Sequence, residues 1–541
     1  MPLGQRVALI GGGHNALITA FYLAKGGFKP LLLERREILG GGAITEEFHP
    51  GFHASTLAHT LGPLRAEIAR DLQLDKADYQ ILRPDPRVFA PRLDGESLFF
   101  YEDIARTSEG IARISSKDAA SYTRFAETLD HLFTVLADLI SMTPPAIDKP
   151  SPEDLWNLFQ AGRGVRSLGK HGIFDLLRWG PMAVADFASE FFETELVRAV
   201  IAARGIFGTA LGPWSAGSTA VYLMRAAADS NPVGPAAFPR GGLGAFTRAL
   251  AESAKNAGVE IRTNAEVQHI RVKDGAVCGL VLSDGEEINI AAVVSGVDPK
   301  RTFFKLLDPT QLDPTFALRI RNIRANGTLA KVNLALSGLP AFPSLENSEN
   351  ALKSLSGRIH IGPDLDYLER AFDASKYGEF SSAPYLDVTI PTILDPLLAP
   401  DGKHVLSAYV QFAPFKLAGP SSDGTSVLKS ETNWDARRRD LGDTVVKTLA
   451  QYAPDLPSFI EHMQVITPHD LETCYGFTGG HIFHGELALD QLFTMRPVLD
   501  WARYKTPIRG LFLCGSGTHP GNGLTGSSGA NAAREIIRDL R

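Results

Sequence analysis

Apolar and polar residues follow a distinctive order at the start of the chain. Residues 7–10 form a short apolar run, typical of a buried parallel strand, and the run ends abruptly at three glycines. Residues 16–24 carry small and bulky apolar side chains and predict a tightly packed helix that ends at a glycine pair. A second apolar run, 30–33, follows and ends at Glu34. The pattern therefore predicts a strand–turn–helix–strand unit.

The glycines of the first turn have the spacing of a dinucleotide-binding fingerprint. Gly11 makes the tight turn, Gly13 lets a pyrophosphate approach the backbone, and Ala16 allows close packing of helix on strand. The helix N-terminus binds phosphates, and Glu34 bonds the ribose hydroxyls. The predicted cofactor contacts from this unit are Gly11, Gly12, Gly13, Asn15, Ala16, Glu34 and Arg35.

The residues after Glu34 bear on which dinucleotide binds. Arg35 and Arg36 raise the alternative of NADP, because arginine can bind a 2′-phosphate. Glu34 would repel that phosphate, so a ribose without it is favoured, and FAD and NAD both remain open at this point. No other strand in the chain leads into a G-x-G-x-x-G turn, so no second fold for NAD(P)H is predicted.

A second glycine cluster occupies residues 40–45, directly after the strand that ends at Glu34. Small residues there let the backbone pass close to a large flat ligand, so Gly41, Gly42 and Ala43 are assigned to the cofactor site. The histidines just beyond have no common zinc spacing and are interpreted as structural: His49, His53 and His59. No metal site is predicted.

The middle of the chain has a different character. Residues 106–230 predict helices with longer connections, and the stretch 179–224 is rich in aromatic side chains. We interpret these aromatic residues as a helical core, with a lipophilic substrate pocket or a membrane-resting face as the alternative. After a glycine-rich turn, a helix is predicted over 247–256.

Strand patterns return after this helix, at 259–262, 267–272, 277–282 and 291–295. They predict a return into the nucleotide-binding domain, and Val267 is assigned to the cofactor site. Residues 310–470 alternate strand-like runs with proline-rich loops and a helix near 435–452, as expected of the second half of a substrate domain.

The C-terminus carries a second strong glycine pattern. Residues 511–514 predict a buried strand, 515–523 a glycine-rich loop, and 525–530 the opening of a final helix. A helix N-terminus with small residues can lie against a planar ring and stabilise a developing anion. The predicted cofactor contacts here are Gly515, Gly517, Gly523, Leu524 and Thr525.

Three histidines are the candidates for acid–base chemistry. His481 and His484 lie close together among glycines, and His519 lies inside the C-terminal loop. Histidine can exchange protons near neutral pH, so all three are predicted as catalytic. The alternative is that they hydrogen-bond and fix the loops.

Composition narrows the function classes. The 541-residue chain has a net charge of -7, with no electrostatic footprint for nucleic acid. Its three cysteines form no Cys-x-x-Cys pair, so we predict no dithiol centre and a reducing compartment. No apolar run is long enough to span a bilayer, and the first strand leaves no room for a presequence. We expect a cytoplasmic protein, with peripheral membrane contact as an extension.

Taken together, the N-terminal fingerprint, the 40–45 cluster, the 238–246 turn and the 515–529 loop resemble the FAD-dependent phytoene desaturase-like oxidoreductases. Within them, residues 205–217, 478–492 and 515–529 are most similar to the branch named pyridine nucleotide-disulfide oxidoreductase domain-containing proteins. The resemblance implies FAD bound across both chain ends. It also implies an α/β fold in which a discontinuous Rossmann-like FAD-binding domain carries an inserted α+β substrate domain.

The domains expected from this resemblance and from the strand pattern are discontinuous. Residues 1–105, 235–310 and 470–541 form the FAD-binding domain, and 106–234 and 311–469 the substrate domain.

The resemblance implies an oxidoreductase for a lipophilic, unsaturated, carotenoid- or isoprenoid-like substrate, with hydride transfer to flavin. Oxygen or a quinone is the expected external electron acceptor, and a homo-oligomer is an open alternative. Competing functions are an amine oxidase, a double-bond isomerase or saturase, and a flavin-binding partner protein with little activity. An aromatic cage facing the flavin would favour the amine oxidase, and a blocked cavity the partner protein.

Overall fold

The computed structural model describes residues 5–76, 79–146, 148–346, 350–418 and 434–541. The strands, in chain order, are β1 (Arg6–Ile10), β2 (Lys29–Leu33), β3 (Thr45–His49), β4 (Phe52–Ser55), β5 (Ile81–Leu82), β6 (Val88–Pro91), β7 (Ser97–Phe100), β8 (Phe238–Pro239), β9 (Glu260–Arg262), β10 (Val267–Lys273), β11 (Ala276–Leu282), β12 (Glu287–Asn289), β13 (Val293–Ser295), β14 (Leu329–Leu336), β15 (Arg358–Ile361), β16 (Leu386–Thr389), β17 (His404–Gln411), β18 (Ile460–Ile466) and β19 (Leu511–Leu513).

The helices, in chain order, are α1 (His14–Lys25), α2 (Ala66–Asp71), α3 (Ile104–Ala112), α4 (Ser116–Ser141), α5 (Pro152–Ser167), α6 (Gly169–Trp179), α7 (Val184–Phe191), α8 (Glu195–Ile206), α9 (Ser218–Asp229), α10 (Leu243–Asn256), α11 (Pro299–Phe304), α12 (Pro314–Arg321), α13 (Ala351–Ser354), α14 (Leu365–Lys376), α15 (Trp434–Ala450), α16 (Leu456–Phe459), α17 (Pro468–Thr473) and α18 (Ser527–Leu540).

A five-stranded parallel sheet organises the nucleotide-binding part. Its strand order is β19-β13-β1-β2-β9, and all four pairings are parallel. The strands come from three separate stretches of the chain, within 6–33, 260–295 and 511–513. β1 lies at the centre, where an apolar strand can be covered on both faces. Both chain ends therefore meet in one sheet.

Alternate residues of these strands pack into two different cores. Val7 and Leu9 join the core that contains residues of α1, α10 and α18. Ala8 and Ile10 face the other way, into the core that holds the three-stranded antiparallel sheet β10-β11-β12. The run 7–10 is wholly apolar because both faces of β1 are buried.

Helix boundaries near the first turn follow from local chemistry. α1 begins at His14, two residues before the predicted start, because Gly13 has extended backbone and acts as its N-cap. α10 begins at Leu243, four residues before the predicted start. The backbone N–H of Gly244 donates to the Thr45 hydroxyl at 2.9 Å, so the first turn of α10 is held beside the second glycine cluster.

A seven-stranded sheet forms the substrate part, in the order β18-β14-β17-β16-β15-β6-β7. Only the β15–β6 pairing is parallel among the described strands of this sheet. β6 and β7 lie inside the predicted FAD-binding segment 1–105, yet they pair in this sheet. The topology therefore places residues 88–100 with the substrate part. The sequence pattern did not reveal this pairing, because the partner strand β15 is distant in sequence.

The aromatic stretch 179–224 builds a helical core. Rings on α4, α7 and α9 pack edge to face or tilted against one another, around Phe125, Phe187 and Tyr222. All three side chains are buried. The interpretation as a core therefore describes most of this stretch, and Trp214 is an exposed exception.

An exposed apolar surface lies instead on α5 and α6. Leu155, Trp156, Phe159, Phe174 and Leu177 are each more than half exposed. Their spacing along both helices places them on outward faces. We refer to these five residues as the α5–α6 apolar face.

Candidate functional site

A cavity of about 320 Å³ opens at the carboxyl edge of the five-stranded sheet. The segments that follow β1, β2, β9, β13 and β19 all contribute to its lining, with residues 11–13, 34–36, 265–267, 296–297 and 515–516. Ligands of open α/β folds bind at this edge because the loops after parallel strands converge there.

The first part of the cavity fits a dinucleotide. The backbone N–H of Gly12 donates to Glu34 Oε2 at 2.6 Å, and that of Arg36 donates to Glu34 Oε1 at 2.9 Å, so the carboxylate is held in place. A Cβ on Gly13 would meet nothing within 4 Å, although Gly13 lines the cavity. No side chain of the described residues caps the α1 N-terminus, which leaves its first amides for a phosphate.

The C-terminal loop is fastened directly to α1. Asn15 Oδ1 accepts from the backbone N–H of Gly529 at 3.2 Å, and Asn15 Nδ2 donates to Ser516 Oγ at 3.4 Å. The Thr19 hydroxyl donates to the Gly529 carbonyl at 3.0 Å. The openings of α1 and α18 are therefore adjacent, as a cofactor held by both chain ends requires. We call the lining contributed by these loops the cofactor cradle.

Most residues predicted from sequence as cofactor contacts line the cavity: Gly11, Gly12, Gly13, Asn15, Ala16, Glu34, Arg35, Gly41, Gly42, Val267, Gly515, Gly523 and Leu524. Three others lie outside the lining. The Ala43 carbonyl accepts from the Thr247 hydroxyl, and a Cβ on Gly517 would clash with the Pro299 ring. The Thr525 hydroxyl accepts from the backbone N–H of Ser527. Their contact with the cofactor stays a prediction.

The three predicted catalytic histidines occupy different places. His484 lines the cavity, whereas His481 and His519 lie outside its lining. Burial, reinforced by Arg496, lowers the pKa of both His484 and His519 to about 3. His481 Nε2 faces Glu486 Oε2 at 3.4 Å. Burial thus favours the neutral form of His484 and His519, and the catalytic role of all three histidines stays a prediction.

The cavity continues between α8, α9 and the seven-stranded sheet into a region that we call the substrate chamber. Its apolar lining includes Val88, Val200, Phe207, Ala228, Tyr409 and Phe483. Charged side chains also line it: Arg204, Arg225, Asp229, Lys331, Arg358 and Asp387. The chamber therefore combines apolar side chains with several buried charges.

Four of these charged residues form two buried ion pairs. Arg204 Nη2 lies 2.5 Å from Asp229 Oδ2, and Arg358 Nη1 lies 2.6 Å from Asp387 Oδ2. Burial raises the pKa of Asp229, although the Arg204 guanidinium opposes that shift. Because each charge has its partner within hydrogen-bonding distance, these pairs compensate each other rather than present free charge to the chamber.

Lys331 extends from β14 into the chamber beside His59. Its Nζ donates to the Leu57 carbonyl at 3.0 Å and lies 2.7 Å from His59 Nδ1. The Tyr409 ring centroid is 4.1 Å from the same Nζ. Burial lowers the pKa of Lys331 well below its ordinary value, so a neutral amine is favoured.

The charged residues of the substrate chamber were not predicted from the sequence. Lys331, Arg358 and Asp387 lie on three different strands, and only the sheet brings them together. One signal was present: Lys331 and Asp387 interrupt runs whose every position is buried. A charge inside such a run is costly unless it has a partner or a function.

The described residues also bear on metal binding, disulfide bonds and membrane spans. No group of three or more His, Cys, Asp or Glu side chains there is placed to hold a metal ion. The cysteines Cys278, Cys474 and Cys514 are all free. In the searched part of the chain, no helix has both the length and the apolar character needed to cross a membrane.

Comparison with known proteins defines the class. The family model described as flavin containing amine oxidoreductase matches residues 17–537. The chain is 33% identical over 555 residues to pyridine nucleotide-disulfide oxidoreductase domain-containing protein 2 of Rattus norvegicus, with 98% of this chain and 93% of the relative covered. The chain belongs to the flavin-containing amine oxidoreductase family, and its cofactor is FAD. The resemblance seen in the sequence is thereby confirmed.

More distant relatives cover almost the whole chain. A limonene dehydrogenase polypeptide of Castellaniella defragrans is 28% identical, with 99% of this chain and 94% of the relative covered. Phytoene desaturase of Fusarium fujikuroi is 25% identical, with coverages of 99% and 90%. The protein is an FAD-dependent oxidoreductase of the amine oxidase type.

Solved structures share the fold at low identity. An oxidoreductase from Methanosarcina mazei superposes with a TM-score of 0.59 at 16% identity, with 99% of this chain and 100% of that chain covered. Cyclohexylamine oxidase from Brevibacterium oxydans gives a TM-score of 0.58 at 14% identity, with full coverage of both chains. The predicted α/β class, a Rossmann-like FAD-binding fold with an inserted substrate part, is confirmed.

Proposed function

We propose that the protein is a dehydrogenase that introduces a double bond into a lipophilic, unsaturated substrate. The observation that carries the proposal is the substrate chamber, which adjoins the cofactor cradle, presents apolar and aromatic side chains and contains a buried lysine amine. Two relatives whose names refer to limonene and phytoene also support it. Oxygen or a quinone is the external electron acceptor in this proposal.

In this proposal the cradle binds the cofactor and the chamber binds the substrate. Gly13, Glu34 and the α1 N-terminus would hold FAD, which when bound supplies hydride acceptance. Phe207, Phe483 and the aliphatic side chains of α8 bind and orient the substrate and exclude water.

Formation of a C=C bond also requires loss of a proton from the neighbouring carbon. Lys331 is the proposed base, because its amine lines the chamber and burial favours the form that can accept a proton. Its bond to the Leu57 carbonyl and its contact with His59 position the amine. The accepted proton would come to lie on Lys331 Nζ.

The test is anaerobic bleaching of the flavin by polyenes. We expect Lys331→Met to lower the rate of bleaching by about 100-fold or more, as for loss of a general base, with flavin content unchanged. Lys305→Met, at an exposed position outside the cavity, is the matched control and should behave as the wild type. No bleaching by any polyene, with FAD bound, would overturn the proposal.

Amine oxidation is the second candidate, because aromatic rings line the chamber. The Phe207 and Tyr409 rings meet edge to face with centroids 5.0 Å apart, and Phe483 also lies in the lining. The same anaerobic assay with cyclohexylamine and putrescine decides between the two. Bleaching by amines but not by polyenes would establish amine oxidation instead.

A further inference from the structure

Within the described residues, the cation of Arg225 in the substrate chamber has no ion-pair partner. The guanidinium groups of Arg204 and Arg358 pair with Asp229 and Asp387, and burial lowers the pKa of Lys331 well below its ordinary value. Arg225 also lines the chamber, on α9. Among the residues that the structure describes, no carboxylate oxygen lies within ion-pairing distance of its guanidinium.

The surroundings of Arg225 are unusual for an unpaired charge. Arg225 is only 7% exposed. Nη1 donates to the Arg204 carbonyl at 3.0 Å, whereas Nη2 is buried without a hydrogen-bond partner in the described parts of the chain. A buried guanidinium in this state is costly, and an arriving anion would remove much of that cost.

Aromatic rings fix the guanidinium in position. Its central carbon lies 5.5 Å from the Phe207 ring centroid and 4.9 Å from that of Phe483. Burial, reinforced by Arg204, lowers the pKa of Arg225 to about 9, so the group remains charged at neutral pH. A planar, fixed and charged group suits a planar anion that can accept two hydrogen bonds.

We propose that Arg225 binds a carboxylate of the substrate, so that the enzyme acts on unsaturated lipophilic acids. This inference rests on the proposed function, because it assigns one polar end to the same lipophilic substrate. The apolar lining accommodates the chain of such an acid, and Arg225 fixes its head group and hence which carbons reach the cradle. A protonated amine is disfavoured at this position by charge repulsion.

Binding can be measured without turnover. Oxidised holoenzyme is titrated calorimetrically, without oxygen, with all-trans retinoic acid and with all-trans retinol as probes of equal carbon skeleton. We expect the wild type to bind the acid at least about 10-fold more tightly than the alcohol, as for a charge-assisted hydrogen bond. Equal affinity for the two probes would overturn the proposal without any variant being needed.

Variants then assign the preference to Arg225. Arg225→Gln should weaken binding of the acid by about 10- to 100-fold and change binding of the alcohol by less than about 3-fold. Arg225→Lys should retain part of the preference, since it keeps the charge but not the planar fork. Arg248→Gln, at an exposed position on α10, is the matched control.

The remaining outcomes separate this inference from the proposed function. If Arg225→Gln shifts the flavin absorbance but leaves the preference for acid intact, Arg225 serves the cofactor and the inference fails. If neutral polyenes bleach the flavin and acids bind no better, the proposed function stands and the inference fails. Preferential binding of acid without bleaching supports carboxylate binding by Arg225 but overturns the proposed function, and with it the inference that the enzyme acts on such acids.

Discussion

Gly13 has two roles, one in the helix cap and one in the cavity lining. Its backbone caps α1, and its missing side chain leaves open space in the cavity lining. Gly12 differs, because a Cβ there would meet Leu39 Cδ2 at 2.5 Å and would disturb the protein itself. A substitution at position 13 therefore tests cofactor binding, whereas a substitution at position 12 tests the stability of the fold.

We expect Gly13→Val to abolish FAD binding while the chain still folds. The added side chain would enter the path of the pyrophosphate and meet no protein atom within 4 Å of its Cβ. The measurement is flavin absorbance per protein after reconstitution, together with circular dichroism. Gly162→Val is the control, because a Cβ there also meets nothing within 4 Å. A Gly13→Val protein with full flavin content would contradict the prediction.

Single residues show what sequence could and could not provide. Gly11, Gly13 and Glu34 were predictable because their roles depend on neighbours within one strand–turn–helix–strand unit. Lys331 and Arg225 were not, because their environment depends on strands and helices distant in sequence. Their significance lies in burial beside the cavity, which is a property of the folded chain.

At the scale of elements, the sequence pattern succeeded where a segment is wholly apolar or regularly amphipathic. β1, β2 and β19 lie where the apolar runs predicted them, within one residue. The pairing of β6 and β7 was not accessible, because short strands do not reveal their partners. The aromatic stretch 179–224 could be judged buried or exposed only once α4, α7 and α9 were seen to pack together.

The α5–α6 apolar face leads to a prediction about membranes. Its aromatic and aliphatic side chains are accompanied on the same helices by exposed cations, Arg163, Arg166 and Lys170. Apolar side chains that enter the lipid beside cations that meet anionic head groups are the features of an interfacial helix. We expect this face to provide the peripheral membrane contact that the sequence left as an alternative.

The prediction is tested by sedimentation with vesicles of phosphatidylserine and phosphatidylcholine. The double variant Trp156→Asp and Phe159→Asp should reduce the bound fraction several-fold. It removes apolar side chains that would enter the lipid and adds negative charges that the anionic head groups repel. Leu397→Asp, at another exposed apolar position, should have no effect. Equal sedimentation of the double variant and the wild type would refute the prediction.

At the scale of the whole molecule, the cofactor cradle needs both ends of the chain. α18 packs on α1 and buries Ala532 and Ile536 in the same core as Leu17. We expect deletion of residues 527–541 to abolish FAD binding, because the contacts of Asn15 and Thr19 with Gly529 are lost. Flavin content after gel filtration is the measurement.

Deletion of Arg541 alone is the matched control. Its Nη2 donates to the Gly26 carbonyl at 3.3 Å from an exposed position, so flavin content should not change. Retention of FAD by the protein that lacks 527–541 would show that the N-terminal unit suffices.

The strand order of the parallel sheet also has a consequence for biosynthesis. β1 and β2 leave the ribosome first, whereas β13 and β19, which complete that side of the sheet, follow much later. At typical rates of synthesis, roughly 25–100 s separate β2 from β19. β1 lacks its neighbour β13 for about the first half of this interval, and β13 lacks β19 until its end, so both edges are open to wrong pairing. We therefore expect FAD to load only after synthesis, because α18 completes the cofactor cradle.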